Sequence, residues 1–523
     1  MNIAYQGLFL HEGLKLLGHN VIDVSFSKDE DIQKTIEDLN CKIDFILIEL
    51  WGDRILPKEL FKCKYTLVAY CIDSPINEFW TTQLCRIFDF VFVDQKQSVY
   101  NFLQHGINAV WLPLCIHETS FCEINPNKKY DITFVGTTST NRIKRKNILA
   151  LLQQNFNLNV IQGVSHSQMM KLFAESKIVL NENLFSGLTL RVFQGLASGS
   201  LVLTEEGGCG VDDYFRNGEH LLCYNPDNLL RICEDILSSY DSYADIATNG
   251  YMLCKREHTA KNRASSLLEA IQDKTAFNKR PDTALGNYHE TLAKHLLIMR
   301  YGGQLNNTIS KFTELTTENN YIAAGAFSEL GNIMARHSKN ELAEQYYISS
   351  LNKNNTIQAN IKLALLYINT EKIQDAKSLL QNIINTFSVQ NKSDYGDIAT
   401  LIERSTDSAD LLFVVALLYF SCGNLFSLGF LKPLPDKYPD TAFEAALLAW
   451  NKKPIPAAMN LLLDCLKGFN IEGEMLPQLL EAIQKVQLTD RQILRAAEIA
   501  KQYYDIDLAN NIITAFRTSM KKS

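Results

Sequence analysis

Two places in the chain combine residue types that bind anionic ligands. The first is Lys177 to Asn225, KIVLNENLFSGLTLRVFQGLASGSLVLTEEGGCGVDDYFRNGEHLLCYN. It reads as a strand at 178–181, a glycine-bearing loop, a helix at 190–198, a strand at 200–204 and a second Gly-rich loop at 205–210, which together make one βαβ unit. Loops at the carboxyl ends of such strands open onto the ligand crevice, where glycines let backbone N–H groups come close to an anion. The second place is Arg142, Lys144, Arg145 and Lys146, which follow the small-residue loop 136–141 and open a helix running to Gln154. Cations at a helix start oppose the macrodipole unless an anion sits nearby. Two readings stand: Arg142, Lys144 or Arg145 holds a diphosphate, or the group is a solvated basic face.

The elements that must position these groups alternate along the first half of the chain. Strands are predicted at 2–6, 21–26, 45–50, 66–71, 90–93 and 109–113, with helices at 9–17, 31–39, 78–86 and 97–105 between them. That pace means a doubly wound parallel sheet. Right-handed crossovers then put the strand-to-helix loops on one edge, so Gln6-Gly7, Glu49 to Asp53 and Cys71 to Pro75 share it. A second alternating set has strands at 131–135 and 159–162, the latter ending before Gly163, then the βαβ unit above, and closes with a helix at 238–257 and the segment HTAKNRASSLLEAI.

The chain has 523 residues, which predicts two to four domains. Apolar residues make up 46% and charged residues 21%, the balance of an ordinary folded protein. A net charge of −7 argues against a nucleic-acid partner, which needs a broad cationic face, but leaves room for a local anion pocket. The N-terminus has no basic stretch before an apolar core, and no run of about 18 uncharged apolar residues occurs. The expectation is a cytoplasmic protein without a transmembrane segment. Twelve cysteines without a C-x-x-C pair predict buried, reduced thiols.

After Gln272 the pattern changes, and from about Asp282 to the end there are almost only helical periodicities. Phe327, Leu330, Gly331, Met334, Ala343, Tyr347 and Ser350 fit the tetratricopeptide template, and Leu363, Ala364, Tyr367, Ala376 and Leu380 repeat it 33 residues on. The stretches 409–423, 440–450 and 456–468 continue as irregular hairpins, so the whole tail reads as one α-solenoid, joined by a linker at 273–287.

LNEN at 180–183, RVFQGLASGSLVLTEE at 191–206, YFRNGEHLLCY at 214–224, CIDSP at 71–75 and the stretch FDFVFVDQKQSVYNFLQHGINAVWLPL resemble GT-B glycosyltransferases of the group 1 type, in particular the bacterial CgeB-like branch. The resemblance covers most of the first 270 residues. It implies two Rossmann-like doubly wound domains, an acceptor-side one at 1–118 and a nucleotide-sugar-binding one at 119–275, followed by the tetratricopeptide-like α-solenoid at 282–523. In such an enzyme backbone N–H groups, helix N-termini and Arg or Lys stabilise the diphosphate leaving group, without an obligatory metal or other cofactor.

The resemblance implies donor-binding roles for Gly136, Thr137, Arg142 and Arg145, for Gly163, Asn183 and Gly187, and for Arg191 and Gln194. It also brings the loop Glu205, Glu206, Gly207, Gly208 to the donor sugar, although Glu205 and Glu206 equally read as acids near the next helix start. Ser186 and Gln194 stand where many retaining relatives carry glutamates. A base for an inverting reaction belongs in the first domain. Asp73 is the first candidate, with His11 and Glu49 in reserve, against the plainer roles of helix cap for Asp73 and surface cover for His11. A D-x-D triplet, Asp505-Ile506-Asp507, lies in the tail and reads as a surface feature, so a metal-dependent GT-A reading finds no support. The function implied is sugar transfer from a nucleotide-sugar to a protein or other macromolecular acceptor, such as flagellin, recruited by the tail. The alternatives are a catalytically silent scaffold and a sugar epimerase, for which the tail makes little sense.

Overall fold

The computed structural model describes residues 1–26, 30–139, 142–183, 186–387, 392–393, 396–421, 439–453, 455–467 and 489–520. Parts of the predicted loop 136–141 and of the stretches 409–423 and 456–468 lie outside them.

The first lobe is a six-stranded parallel sheet in the order β2-β1-β3-β4-β5-β6, with β1 Asn2–Gln6, β2 Asn20–Asp23, β3 Phe45–Leu50, β4 Leu67–Cys71, β5 Phe90–Val93 and β6 Ala109–Trp111. The sequences FILIEL and LVAYC are apolar without alternation because β3 and β4 are covered on both faces, and every residue of the two strands is buried. Helices α1 His11–Leu16, α2 Ile32–Glu37, α3 Ser74–Leu84 and α4 Lys96–Gln104 connect them.

The second lobe is a five-stranded parallel sheet in the order β11-β10-β9-β7-β8, with β7 Tyr130–Val135, β8 Leu158–Ile161, β9 Ser176–Asn181, β10 Leu201–Glu205 and β11 Leu222–Tyr224. Its helices are α5 Ile143–Asn155, α6 His166–Ala174, α7 Leu190–Ala197, α8 Val211–Tyr214, α9 Leu229–Ser238, α10 Ala244–Glu257 and α11 Ala260–Gln272. In each sheet the chain reverses its winding direction once, between β1 and β3 and between β7 and β9. The carboxyl ends of those strand pairs are where a doubly wound sheet forms its crevice.

Helix α11 crosses back to the first lobe. The backbone of Ala260 lies so close to Gly13 of α1 that a Cβ there would clash, and Arg263 donates to the Pro113 carbonyl at 2.9 Å. The predicted linker is strapped down rather than loose. Arg280 pairs with Asp89 and donates to the carbonyls of Cys63 and Tyr65, and Asn278 exchanges hydrogen bonds with Asn108. Helix α12 Thr283–Tyr301 then lies on α3, with Glu290 accepting from the N–H groups of Glu59 and Phe61.

Beyond it come α13 Asn306–Leu315 and two helical hairpins, α14 Asn320–Arg336 with α15 Asn340–Lys353 and α16 Ile357–Asn369 with α17 Ile373–Phe387. A Cβ on Gly331 would stand 2.6 Å from the Tyr347 ring, and Ser350 donates to the Ala324 carbonyl at 2.7 Å. Small residues at these positions let the first hairpin cross closely. Helices α18 Ile398–Arg404, α19 Ser408–Ser421, α20 Pro439–Lys452 and α21 Pro456–Lys467 share one apolar core with α16 and α17. A closing pair, Asp490–Gln502 and Ile506–Met520, returns to the second lobe, where Tyr504 joins the core built by Phe134, Leu180 and Tyr224.

Candidate active site between the two lobes

The two crevices are built differently. In the first lobe Gly7 and Glu49 meet so closely that a Cβ on Gly7 would strike the carboxylate. Glu49 is fully buried and accepts from the Tyr5 hydroxyl and from the N–H groups of Leu8 at 2.7 Å and Phe9 at 2.8 Å. Burial pushes its carboxyl up while those donors pull it down. This crevice is already filled by the chain's own carboxylate, and Glu49 holds the loop after β1 instead of facing an acceptor. His11 stacks on Tyr5 and sits 3.0 Å from Asp23, at the margin of the same lobe.

The second crevice is lined with cations. Arg145 is buried, donating through Nε and Nη2 to Glu182 Oε2 at 2.8 and 2.7 Å and through Nη1 to the Thr137 carbonyl at 2.8 Å. Arg191 donates to the Val135 carbonyl at 3.1 Å and to Asn181 Oδ1 at 3.2 Å. Both guanidinium groups lie against the Phe134 ring, 5.3 and 4.4 Å from its centroid. Gly136 lets Arg191 lie close, because a Cβ there would stand 2.5 Å from its Nη2 and 3.2 Å from the Phe134 ring. Burial, and after it the positive charges of Arg145 and Arg142, lower the Arg191 pKa to about 10, so the three arginines that the sequence pointed to converge. Lys144 completes the group, donating to Glu205 Oε2 at 2.9 Å. Two carboxylates, Glu182 and Glu205, therefore face four cations, and the crevice carries an excess of positive charge.

Asp73 faces this group from the first lobe. It holds the N-cap position of α3 in a left-handed conformation with φ 48° but without a capping bond from its side chain, and the residue is exposed although protein encloses its carboxylate on most sides. That enclosure raises its pKa, and Arg142 across the cleft lowers it. Beneath it Asp94 is fully buried, accepting from the N–H groups of Asp73 and Ser74 at 2.9 Å each and from the Ser74 hydroxyl at 2.6 Å. Burial, then the charge of Asp73, push Asp94 up to about 6.

Other expected donor contacts have different partners. The Asn183 side chain is spent inside the lobe on Asn181, Thr204 and the Glu205 carbonyl, so it shapes the loop rather than reaching a ligand. Gly187 belongs to a clamp between lobes: Gln95 donates to the Leu188 carbonyl at 3.1 Å and accepts from the Leu188 N–H at 3.0 Å, and a Cβ on Gly187 would strike the Gln95 amide. Lys96 with Asp213 at 2.7 Å and Trp111 against Tyr214 at 5.0 Å extend the same clamp.

Glu206 accepts from Asn225 at 2.9 Å, Gly207 has φ 78° in open space, and Gly208 packs against Asn183. Gly163 also stands in open space, one residue past Gln162, which pairs with Thr138. Gln194 is half-buried on α7. Sequence reading passed over Asn181, Glu182, Asp94 and Gln95. Asn181 ends β9 and Glu182 follows it, and Asp94 and Gln95 follow β5, a place at the end of a buried strand like that of Asp73 after β4. Among the described residues no group of three or more His, Cys, Asp or Glu is placed to hold a metal ion, and no helix is long and apolar enough to cross a membrane.

Comparison with known proteins adds the following. An uncharacterized protein, R358, of Acanthamoeba polyphaga mimivirus is 25% identical over 175 residues, which is 32% of this chain and 61% of that protein, so the match spans less than two thirds of the relative. Among solved structures, sucrose-phosphate synthase from Thermosynechococcus elongatus superposes with a TM-score of 0.40 at 10% identity, over 53% of this chain and 99% of that one. Anabaena Alr3699/HepE, solved with UDP and glucose, superposes with a TM-score of 0.40 at 12% identity, over 52% of this chain and 99% of that one. Residues 121–269, which hold the cationic crevice whole, match the family described as glycosyl transferase-like.

Proposed function

We propose that the protein is a cytoplasmic glycosyltransferase of GT-B architecture that moves a sugar from a nucleoside-diphosphate donor to a protein or other macromolecular acceptor brought in by its tetratricopeptide-like tail. The observation that carries this reading is the set of Arg142, Lys144, Arg145 and Arg191 at the switch point of the second sheet, facing Asp73 across the cleft. The match of residues 121–269 to the glycosyl transferase-like family supports it.

In this reading the donor's diphosphate lies against Arg191 and Arg142, with Arg145 and the Thr137 loop behind it. An acceptor hydroxyl gives its proton to Asp73 as its oxygen bonds to the anomeric carbon. The bond from that carbon to the diphosphate oxygen breaks, and the electron pair leaves on the diphosphate, where fixed cations stabilise the growing charge without a metal. Glu49 is not in the catalytic set, because it is buried and fully engaged. His11 is a less favourable base than Asp73, because Asp23 holds it at the edge of the lobe.

A second reading is a silent scaffold, and Ser186 and Gln194 in place of glutamates favour it. Incubation with a panel of UDP-, GDP- and CMP-sugars separates the two. An active enzyme releases nucleotide from at least one of them. No release, together with no thermal shift by any nucleotide, sinks the transferase reading in favour of the scaffold.

A further inference from the structure

The turn that joins the two closing helices lies against the second lobe beside Glu205. Tyr504, with φ 57°, occupies that turn and is only 3% exposed. Its ring meets that of Tyr224 edge-on at 6.1 Å, and the Tyr224 hydroxyl donates to the Asn181 carbonyl at 3.0 Å. Asn147 of α5 donates to the Tyr503 carbonyl at 2.9 Å, and Lys501 pairs with Asp227 at 2.5 Å. The turn is therefore fastened to α5, the helix that carries Lys144 and Arg145, and to the end of β11.

Two polar atoms here are buried without a hydrogen-bond partner among the described residues: the Tyr504 hydroxyl and Glu182 Oε1. Leaving such atoms unsatisfied is costly. Burial, then the charge of Glu205 and a hydrogen-bonding approach to it, push the Tyr504 phenol up, although the hydroxyl makes no bond of ordinary geometry. Lys144 and the Asn183 N–H both approach Glu205 through Oε2.

We propose that this turn is a wall of the donor site, and that Tyr504 is a positioning residue whose hydroxyl donates to Glu205 when a nucleotide-sugar is bound. A small rotation of either side chain closes that bond. The carboxylate is then fixed from behind, and its front is presented to a sugar hydroxyl. The inference rests on the donor-site reading above. It means that a residue from the far end of the helical tail completes the lobe, and that this tail is part of the transferase unit.

The test uses the full chain carrying Tyr504→Phe, which keeps the ring and removes only the hydroxyl. The donor KM rises about tenfold, the scale of one lost hydrogen bond to a charged group, while kcat and the unfolding midpoint hold. A merely structural tyrosine shows the reverse, a wild-type KM in every variant that folds. Asn147→Ala, which loosens the turn without touching the cleft, raises the donor KM in the same direction and serves if the first variant does not fold. Wild-type donor KM in these variants overturns this inference and leaves the donor site standing. A wild-type chain that takes no nucleotide-sugar at all overturns the donor site, and this inference with it.

Discussion

Arg142 and Asp73 belong to different lobes, and the Arg142 charge reaches the Asp73 carboxyl. The Asp73 carboxyl is raised by its enclosure in the cleft and lowered by the Arg142 charge. A base works only in its ionised form, so the rate falls as pH drops through its pKa. Arg142→Gln removes the lowering influence, and the acid limb of kcat/KM moves to higher pH, whatever the loss in overall rate. A pH profile with an unmoved acid limb would show that Asp73 is not the base or that Arg142 does not face it.

Arg145 is a poorer probe. Its loss strands Glu182 in the interior, and breaking a buried pair in this way costs about 3–5 kcal/mol of stability, which confounds any effect on binding. At this scale the sequence was legible wherever a residue type conflicts with its surroundings, as with cations at a helix start. It was silent where a partner lies far along the chain, as with Glu182 under Arg145.

The strands of both sheets lie within a few residues of their predicted positions because fully buried parallel strands read as uninterrupted apolar runs. The three-residue β11 went unread as a strand, since LCY is too short to show a period. Helices α6 and α9 were likewise passed over, being the shorter amphipathic segments between the motifs that drew attention. The bonds that fasten the linker to the first lobe were not legible, because the partners of Arg280 lie about two hundred residues earlier.

In the tail, Gly331 carries a prediction of its own. Alanine in a helix interior normally gains about 1 kcal/mol over glycine, yet here the added methyl meets the Tyr347 ring at 2.6 Å. Overpacking costs about 1–3 kcal/mol, so Gly331→Ala lowers the denaturation midpoint. A raised midpoint would mean that the hairpin α14–α15 does not cross as closely as described.

Taken whole, the helical tail leaves from the first lobe through α12 and comes back to the second through Tyr503 and Tyr504. No periodicity in the sequence announces that return, because the contacts are single side chains rather than repeats. The Gln95 and Lys96 clamp is equally hidden, being made of ordinary polar residues that acquire a task only when the lobes meet.

The central claim is that the cations between these lobes hold a diphosphate. Calorimetric titration of the full chain with UDP, GDP and CDP beside the corresponding nucleosides tests it directly, and Arg191 is the residue to vary, since it donates to a carbonyl and an amide and its removal breaks no carboxylate pair. The account predicts that one diphosphate binds at least about tenfold more tightly than its nucleoside and that Arg191→Gln erases the difference. Equal binding of diphosphate and nucleoside, or a difference untouched by Arg191→Gln, would contradict it.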